Sequence, residues 1–216
     1  MNTSRDATFV NAWWEQVPGE RYWLDVTNRQ GWEERLASPR ATRGQHDSWE
    51  QRLITHVKDG DVVFHYDASE QSIAACAVSQ GRIDKRRLSW TRAGAPERGG
   101  HAGRPSWSIG LRHCTRLDEP VSVHEIARVQ WDLFPKLRAL EDVAGLELHY
   151  PFEMGDPRKT RPIPGYVFKL PAVFVQSFPE LARAAGSVDR VRTVRPSRHE
   201  LQRKEPTQCS SSPRSA

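Results

Sequence analysis

The chain has 216 residues and a mass of 24.7 kDa, room for one domain with appendages or for two small ones. Hydrophobic residues are 37%, charged residues 27%, net charge +5 and mean hydropathy −0.70, which predicts a soluble chain; no run suits a membrane span, and residues 1–10 lack signal-peptide features. Three widely spaced cysteines, Cys76, Cys114 and Cys209, exclude a disulfide framework and a cysteine-rich zinc site, and fit a reducing cytoplasm.

Residues 1–19 read as an extension whose Trp13 and Trp14 cap the domain surface. Residues 22–27 (YWLDVT) follow a Pro18-Gly19 turn and predict a strand, with Trp23 in the core. Apolar residues at Trp49, Leu53, Ile54 and Val57 have helical spacing, with Asp47 as a cap. Residues 61–66 (DVVFHY) and 72–78 (SIAACAV) predict two strands joined by a polar link. Residues 81–112 then carry 8 basic side chains against 2 acidic ones. This stretch reads as a loop, because residues 94–104 are rich in Gly, Pro and Arg. Concentrated positive charge suits a phosphate-tracking surface; a plain solvated loop is the alternative. At its end Trp107, Ile109 and Leu111 alternate with Ser108, Gly110 and Arg112, the period of a half-buried strand.

Ser122 and Glu125 form a capping-box pattern that opens a helix carrying Ile126, Val129 and Leu133 on one face. Trp131 on the same helix is assigned to the core, and Pro135 is expected to interrupt it before a second piece ending near Val143. Residues 146–150 and 166–170 predict strands; a short helix follows Pro171, and residues 179–185 form a last helical turn closed by Gly186. The tail, residues 187–216, is basic, poor in apolar residues and expected to be disordered. The domain therefore spans residues 20–186. Its short strands lack regular crossover helices, which predicts an α+β fold: a small, partly closed β-barrel with helices around it.

Phosphate-loop, dinucleotide, zinc-protease and serine-hydrolase motifs are all absent, so no catalytic residue, cofactor or metal is expected. His65, two residues before Asp67, is the one histidine to weigh as a base, against a structural histidine on a strand. A binding module is the better expectation than an enzyme. Trp90 and Trp107 bracket the basic stretch, an arrangement that suits a nucleobase stacked on indole with phosphates on nearby cations.

The order YWLDVTNR (22–29), Trp49, GDVVFHYD (60–67), SIAACAV (72–78), Trp107 and Pro120-Val121 before a helix resembles the EVE domain, a PUA-like family related to YTH domains. The run PFEMGDPRKTRPIPGYVFKLP (151–171) further resembles EVE-like modules found ahead of HNH nucleases in bacterial restriction systems. The likeness covers residues 20–180. It implies a cytoplasmic reader of a methylated or hydroxymethylated base, flipped into an aromatic pocket, with DNA favoured over RNA. Trp49 and Trp107 match the pocket walls, Thr27 and Asn28 match positions bonding the base edge, and His65 and Tyr66 match the strand end beneath. Trp90 is a weaker member. Lys85, Arg86, Arg87 and Arg92 would take the phosphates. No HNH signature follows Gly186, so the nuclease half is expected to be missing or to belong to another chain as a separate partner. The alternatives are the specificity part of an HNH-type restriction endonuclease, an RNA-binding PUA-like domain, and a protein-interaction or small-molecule pocket on the same barrel.

Overall fold

The computed structural model describes residues 10–27, 34–42, 44–90, 96–97, 103–153, 155–156 and 158–193. Six strands form one mixed sheet: β1 (Tyr22–Asp25), β2 (Arg35–Pro39), β3 (Asp59–Asp67), β4 (Ser72–Trp90), β6 (Arg104–Ser122) and β7 (Val167–Leu170). Their order is β2-β6-β4-β3-β1-β7, and the short β5 (Pro96–Glu97) pairs with the far end of β4. The β1–β3 pair is parallel and the others are antiparallel. At the open side β2 and β7 approach each other with no ladder between them, so the sheet curls without closing.

β4 and β6 each run for 19 residues, far beyond the strands expected at 72–78 and 107–112. The stretch expected to be a loop is thus largely strand: Ile83 pairs with Ile109 and the ladder continues to Leu88 and Arg104. Period-two hydrophobicity fades there because none of residues 81–90 is buried: this half of β4 leaves the core, so no inner face demands apolar side chains and charge hides the strand. Gly81 marks the corner between the two halves of β4. Its φ is +66°, and a Cβ there would lie 2.4 Å from the Asp59 backbone nitrogen.

α1 (Trp49–Arg52) continues into a 3-10 turn (Leu53–His56) that buries Leu53 and Ile54. α2 (Val123–Ala144) opens with the expected capping box, in which Ser122 Oγ accepts from the Glu125 N–H, and ends at Gly145 in the left-handed region. Pro135 does not break it. Pro135 is on the exposed side, where the carbonyl one turn earlier loses its partner toward water. Ile126, Leu133, Leu137, Leu140 and Ala144 form the buried stripe, and Trp131 stands off it, 59% exposed and stacked on Phe134. The assignment of Trp131 to the core is therefore corrected.

Residues 146–150 form no strand; Leu148 is held by its N–H bond to Glu141 Oε1. α3 (Ala172–Gln176) follows Pro171, with Glu20 accepting the Ala172 N–H. α4 (Pro179–Thr193) runs through Gly186 rather than ending there, because Ala185 and Val188 are both buried on its inner side. Residues 194–216 lie outside the described residues.

Trp13 and Trp14 form a 3-10 turn (Trp13–Glu15) sunk in the core, not a cap on the surface. Trp14 packs edge-on to Trp23, whose indole N–H donates to Asp61 Oδ2 at 2.7 Å. The Lys169 ammonium lies 4.6 Å from the Trp23 ring and 5.9 Å from that of Trp14. Burial pulls its pKa down to about 8 against the opposing pull of Asp61 and Glu20. Among the described residues, no helix is long and apolar enough to cross a membrane.

Candidate nucleic-acid interface

Beyond Gln80, β3 no longer accompanies β4, and the outer half of β4 presents Arg82, Lys85, Arg86 and Arg87, all exposed. Successive side chains of a strand point to opposite faces, so Lys85 and Arg87 share one face and Arg86 the other. Asp84 is the acid set among them. Its Oδ2 lies 2.7 Å from Arg35 and 3.6 Å from Arg86, and its Oδ1 lies 3.7 Å from Arg82. One carboxylate shared by three guanidiniums leaves the arm strongly cationic. Arg92 lies outside the described residues.

Trp107 sits opposite Lys85 and Ser38 in the ladder, half-buried. The Arg40 guanidinium lies 4.3 Å from its ring and the Lys85 ammonium 5.5 Å. Its indole N–H donates to Asp47 Oδ2 at 3.1 Å, and Asp47 Oδ1 accepts the Ala41 N–H at 2.6 Å. Asp47 thus pins the arm to the loop that opens α1. Trp49, two residues on, stacks on His149 at 4.5 Å and meets Phe168 edge-on at 6.3 Å. No ring contact joins Trp49 to Trp107 among the described residues. Trp90 donates to Ser106 Oγ at 3.0 Å and packs edge-on to Tyr166 at 5.5 Å.

The positions at the ends of β1 and β3 form a separate, buried cluster. Asp25, Thr27 and His65 are 2%, 4% and 7% exposed. Asp25 Oδ1 accepts both the Thr27 hydroxyl, at 2.5 Å, and the Thr27 N–H, at 3.0 Å. Asp25 Oδ2 lies 3.2 Å from His65 Nδ1. Burial alone would lower the His65 pKa, but Asp25 and Cys114 outweigh it and push it up to about 9. The imidazole therefore keeps its proton at neutral pH and is no general base there. Thr27 spends its hydroxyl on Asp25, so its place in the structure is to orient that carboxylate. Asn28 lies outside the described residues.

Tyr66, next along β3, lines a cavity of about 400 Å³ shared with Gln71, Thr160 and the cations of the loop before β7. Burial, with a smaller push from Asp67, raises the Tyr66 pKa. A second cavity, of about 280 Å³, lies between β6 and α4, floored by Cys76, Leu117, Ala184 and Val188. Among the described residues, no group of three or more His, Cys, Asp or Glu side chains is placed to hold a metal ion.

Asp25, Arg40, Asp47 and Tyr166 carry no motif, and the sequence did not single them out as site residues. The one available signal was Asp47, read as a helix cap two residues before Trp49; the cap is Ser48, which closes a capping box with Gln51, and Asp47 accepts from Trp107 and Ala41 instead.

No family model matches the chain, and no curated protein matches it. The chain is similar in structure to Rpa0253 from Rhodopseudomonas palustris, solved by NMR, at 14% identity over 77% of this chain and 94% of that one, with a TM-score of 0.37. It is likewise similar to a crystallised protein from Pseudomonas putida, at 11% identity over 77% and 98% of the two chains, with a TM-score of 0.35.

Proposed function

We propose that this protein binds nucleic acid through the β4–β6 arm and reads a modified base, methylated or hydroxymethylated, everted against the indole of Trp107. The observation that carries the reading is the set of cations around that ring: Arg40 and Lys85 lie against it, and Arg87 follows Lys85 on the same face of the strand. Aromatic faces interleaved with cations suit a base and its flanking phosphates together. The resemblance to the EVE domain supports the same reading and favours DNA.

The energetics set what the site must supply. Everting a base costs a few kcal/mol. Stacking on one aromatic face returns about 1–3 kcal/mol. A buried methyl group adds about 0.8 kcal/mol, roughly fourfold selectivity, so stronger discrimination needs a bond that only the modified edge can make. Phosphate contacts supply most of the affinity and its salt dependence.

The test is a binding screen of oligonucleotides with methylated, hydroxymethylated and plain bases, as DNA and as RNA, on the wild type and Trp107→Ala. A preference for one modified probe, lost in the variant while the protein stays folded, is expected. Equal affinity of the wild type for modified and plain probes overturns the reading.

A further inference from the structure

The cavity beside Tyr66 has a construction of its own, and no residue of the β4–β6 arm lines it. Its outer wall is the loop before β7, which is closed on itself. Glu153 N–H donates to the Arg161 carbonyl at 2.8 Å, Ile163 N–H donates to the Pro151 carbonyl at 2.9 Å, and Phe152 bridges to Pro162. The Gly155 N–H ties the loop to α2 through Gln130 Oε1 at 3.1 Å, and Gln130 is fully buried. The loop is therefore braced, and the side chains at its tip are held over the cavity.

That tip is cationic. Arg158, Lys159 and Arg161 line the space against one acid, Glu153, which is bridged to Arg161 at 2.9 Å. Lys159 lies 3.5 Å from Asp156, whereas the Arg158 guanidinium has no side-chain partner among the described residues. Neutral donors complete the lining: the Gln71 amide, and the Thr160 hydroxyl, which is buried and makes only a 3.5 Å contact to the Asp156 carbonyl. The first residue of α2, Val123, also lines it, so the positive end of a 22-residue helix faces the same space. Glu125 already takes the Ser122 N–H and hydroxyl, so the helix contributes field more than free donors. Tyr66 is the one aromatic residue of the lining.

We propose that this cavity binds a nucleoside monophosphate group, its phosphoryl oxygens on Arg158, Lys159 and Thr160 and its base against Tyr66. Guanidinium and phosphate match in a two-bond geometry, and an aromatic wall beside them accepts a base of any sequence. A volume of about 400 Å³ is within the span of about 300–1,000 Å³ that small-molecule sites occupy. The group can arrive as a free mononucleotide or as the 5′-phosphorylated end of a strand.

The test is calorimetric titration of the full chain with inorganic phosphate, a 5′-mononucleotide, and a short oligonucleotide with and without its 5′-phosphate. Arg158→Ala/Lys159→Ala is expected to weaken mononucleotide binding about tenfold or more, and both residues are exposed, so the variant folds. Tyr66→Ala is expected to weaken the mononucleotide but leave inorganic phosphate unchanged. A gain from the 5′-phosphate on the oligonucleotide identifies strand ends as the source, and binding of the free mononucleotide alone identifies the small molecule. Mononucleotide affinity that is absent in the wild type, or identical in Arg158→Ala/Lys159→Ala, overturns the assignment. Neither result touches the Trp107 reading, which is scored on base modification and not on phosphate.

Discussion

Asp25 and His65 stand opposite each other in the parallel β1–β3 pair, carboxylate oxygen 3.2 Å from ring nitrogen, with Thr27 closing the other carboxylate oxygen. The pair is buried in the sheet, so it bears on stability before it bears on binding.

The pH dependence of stability follows from it. The folded His65 pKa is about 9, above the ordinary 6.5, so its stabilisation is whole below about pH 6.5 and is lost as the pH rises through 9. Lys169 acts the other way: its pKa is lowered to about 8, so its cost is relieved only between pH 8 and 10.5. From pH 6.5 to 8, urea unfolding should therefore show stability falling as the pH rises, by on the order of 1 kcal/mol per pH unit. His65→Gln should flatten that slope. A flat wild-type profile over the same range would contradict the charged imidazole.

The cationic arm is tested by charge in both directions. Replacing Lys85, Arg86 and Arg87 together by Ala is expected to weaken binding to all sequences alike, and to lower the salt slope by about 1 per cation removed. Asp84→Asn should do the reverse, because it releases Arg35, Arg82 and Arg86 from their shared carboxylate. Fluorescence anisotropy at two salt concentrations reads both. The outer half of β4 is a sheet edge, where cations also discourage pairing with another chain. Unchanged binding in the triple variant, with new self-association, would assign the charges to that role instead.

Gly81 and Gly145 both have positive φ, yet they should respond differently to substitution. A Cβ at Gly145 meets nothing within 4 Å, whereas one at Gly81 meets the Asp59 backbone. Gly145→Ala should cost about 1–2 kcal/mol, the penalty of the left-handed conformation alone. Gly81→Ala should cost clearly more, because β3 and β4 must part at their corner. Equal losses in thermal or urea unfolding would remove the close approach from the account.

Local pattern revealed the elements whose cause is local. The Ser122–Glu125 box, the strand pair around Phe64 and Cys76, and the short helix after Pro171 depend on neighbours a few residues away. What escaped depends on partners far along the chain. β2 is recognisable only once Leu36 meets Ile109, and the outer half of β4 only once Lys85 meets Trp107. Trp131 shows a different failure: counting from Ile126 and Leu133 in steps of three and four already excludes it from the buried stripe. Of the site, the cations and Trp107 were legible by type and position. Arg40 over that ring and Asp47 beneath its N–H were not, since nothing local announces either contact.

The pairing of β1 with β7 has a bearing on how the protein is made. The strand at the start of the domain completes one of its edges with the last strand to be synthesised, Tyr22 meeting Leu170. During translation β1 must wait with that edge bare until almost the whole domain has left the ribosome. Its long-range partner arrives late, so the nascent chain passes through a stage in which Trp23 and Leu24 are open to chaperones or to other unfinished copies.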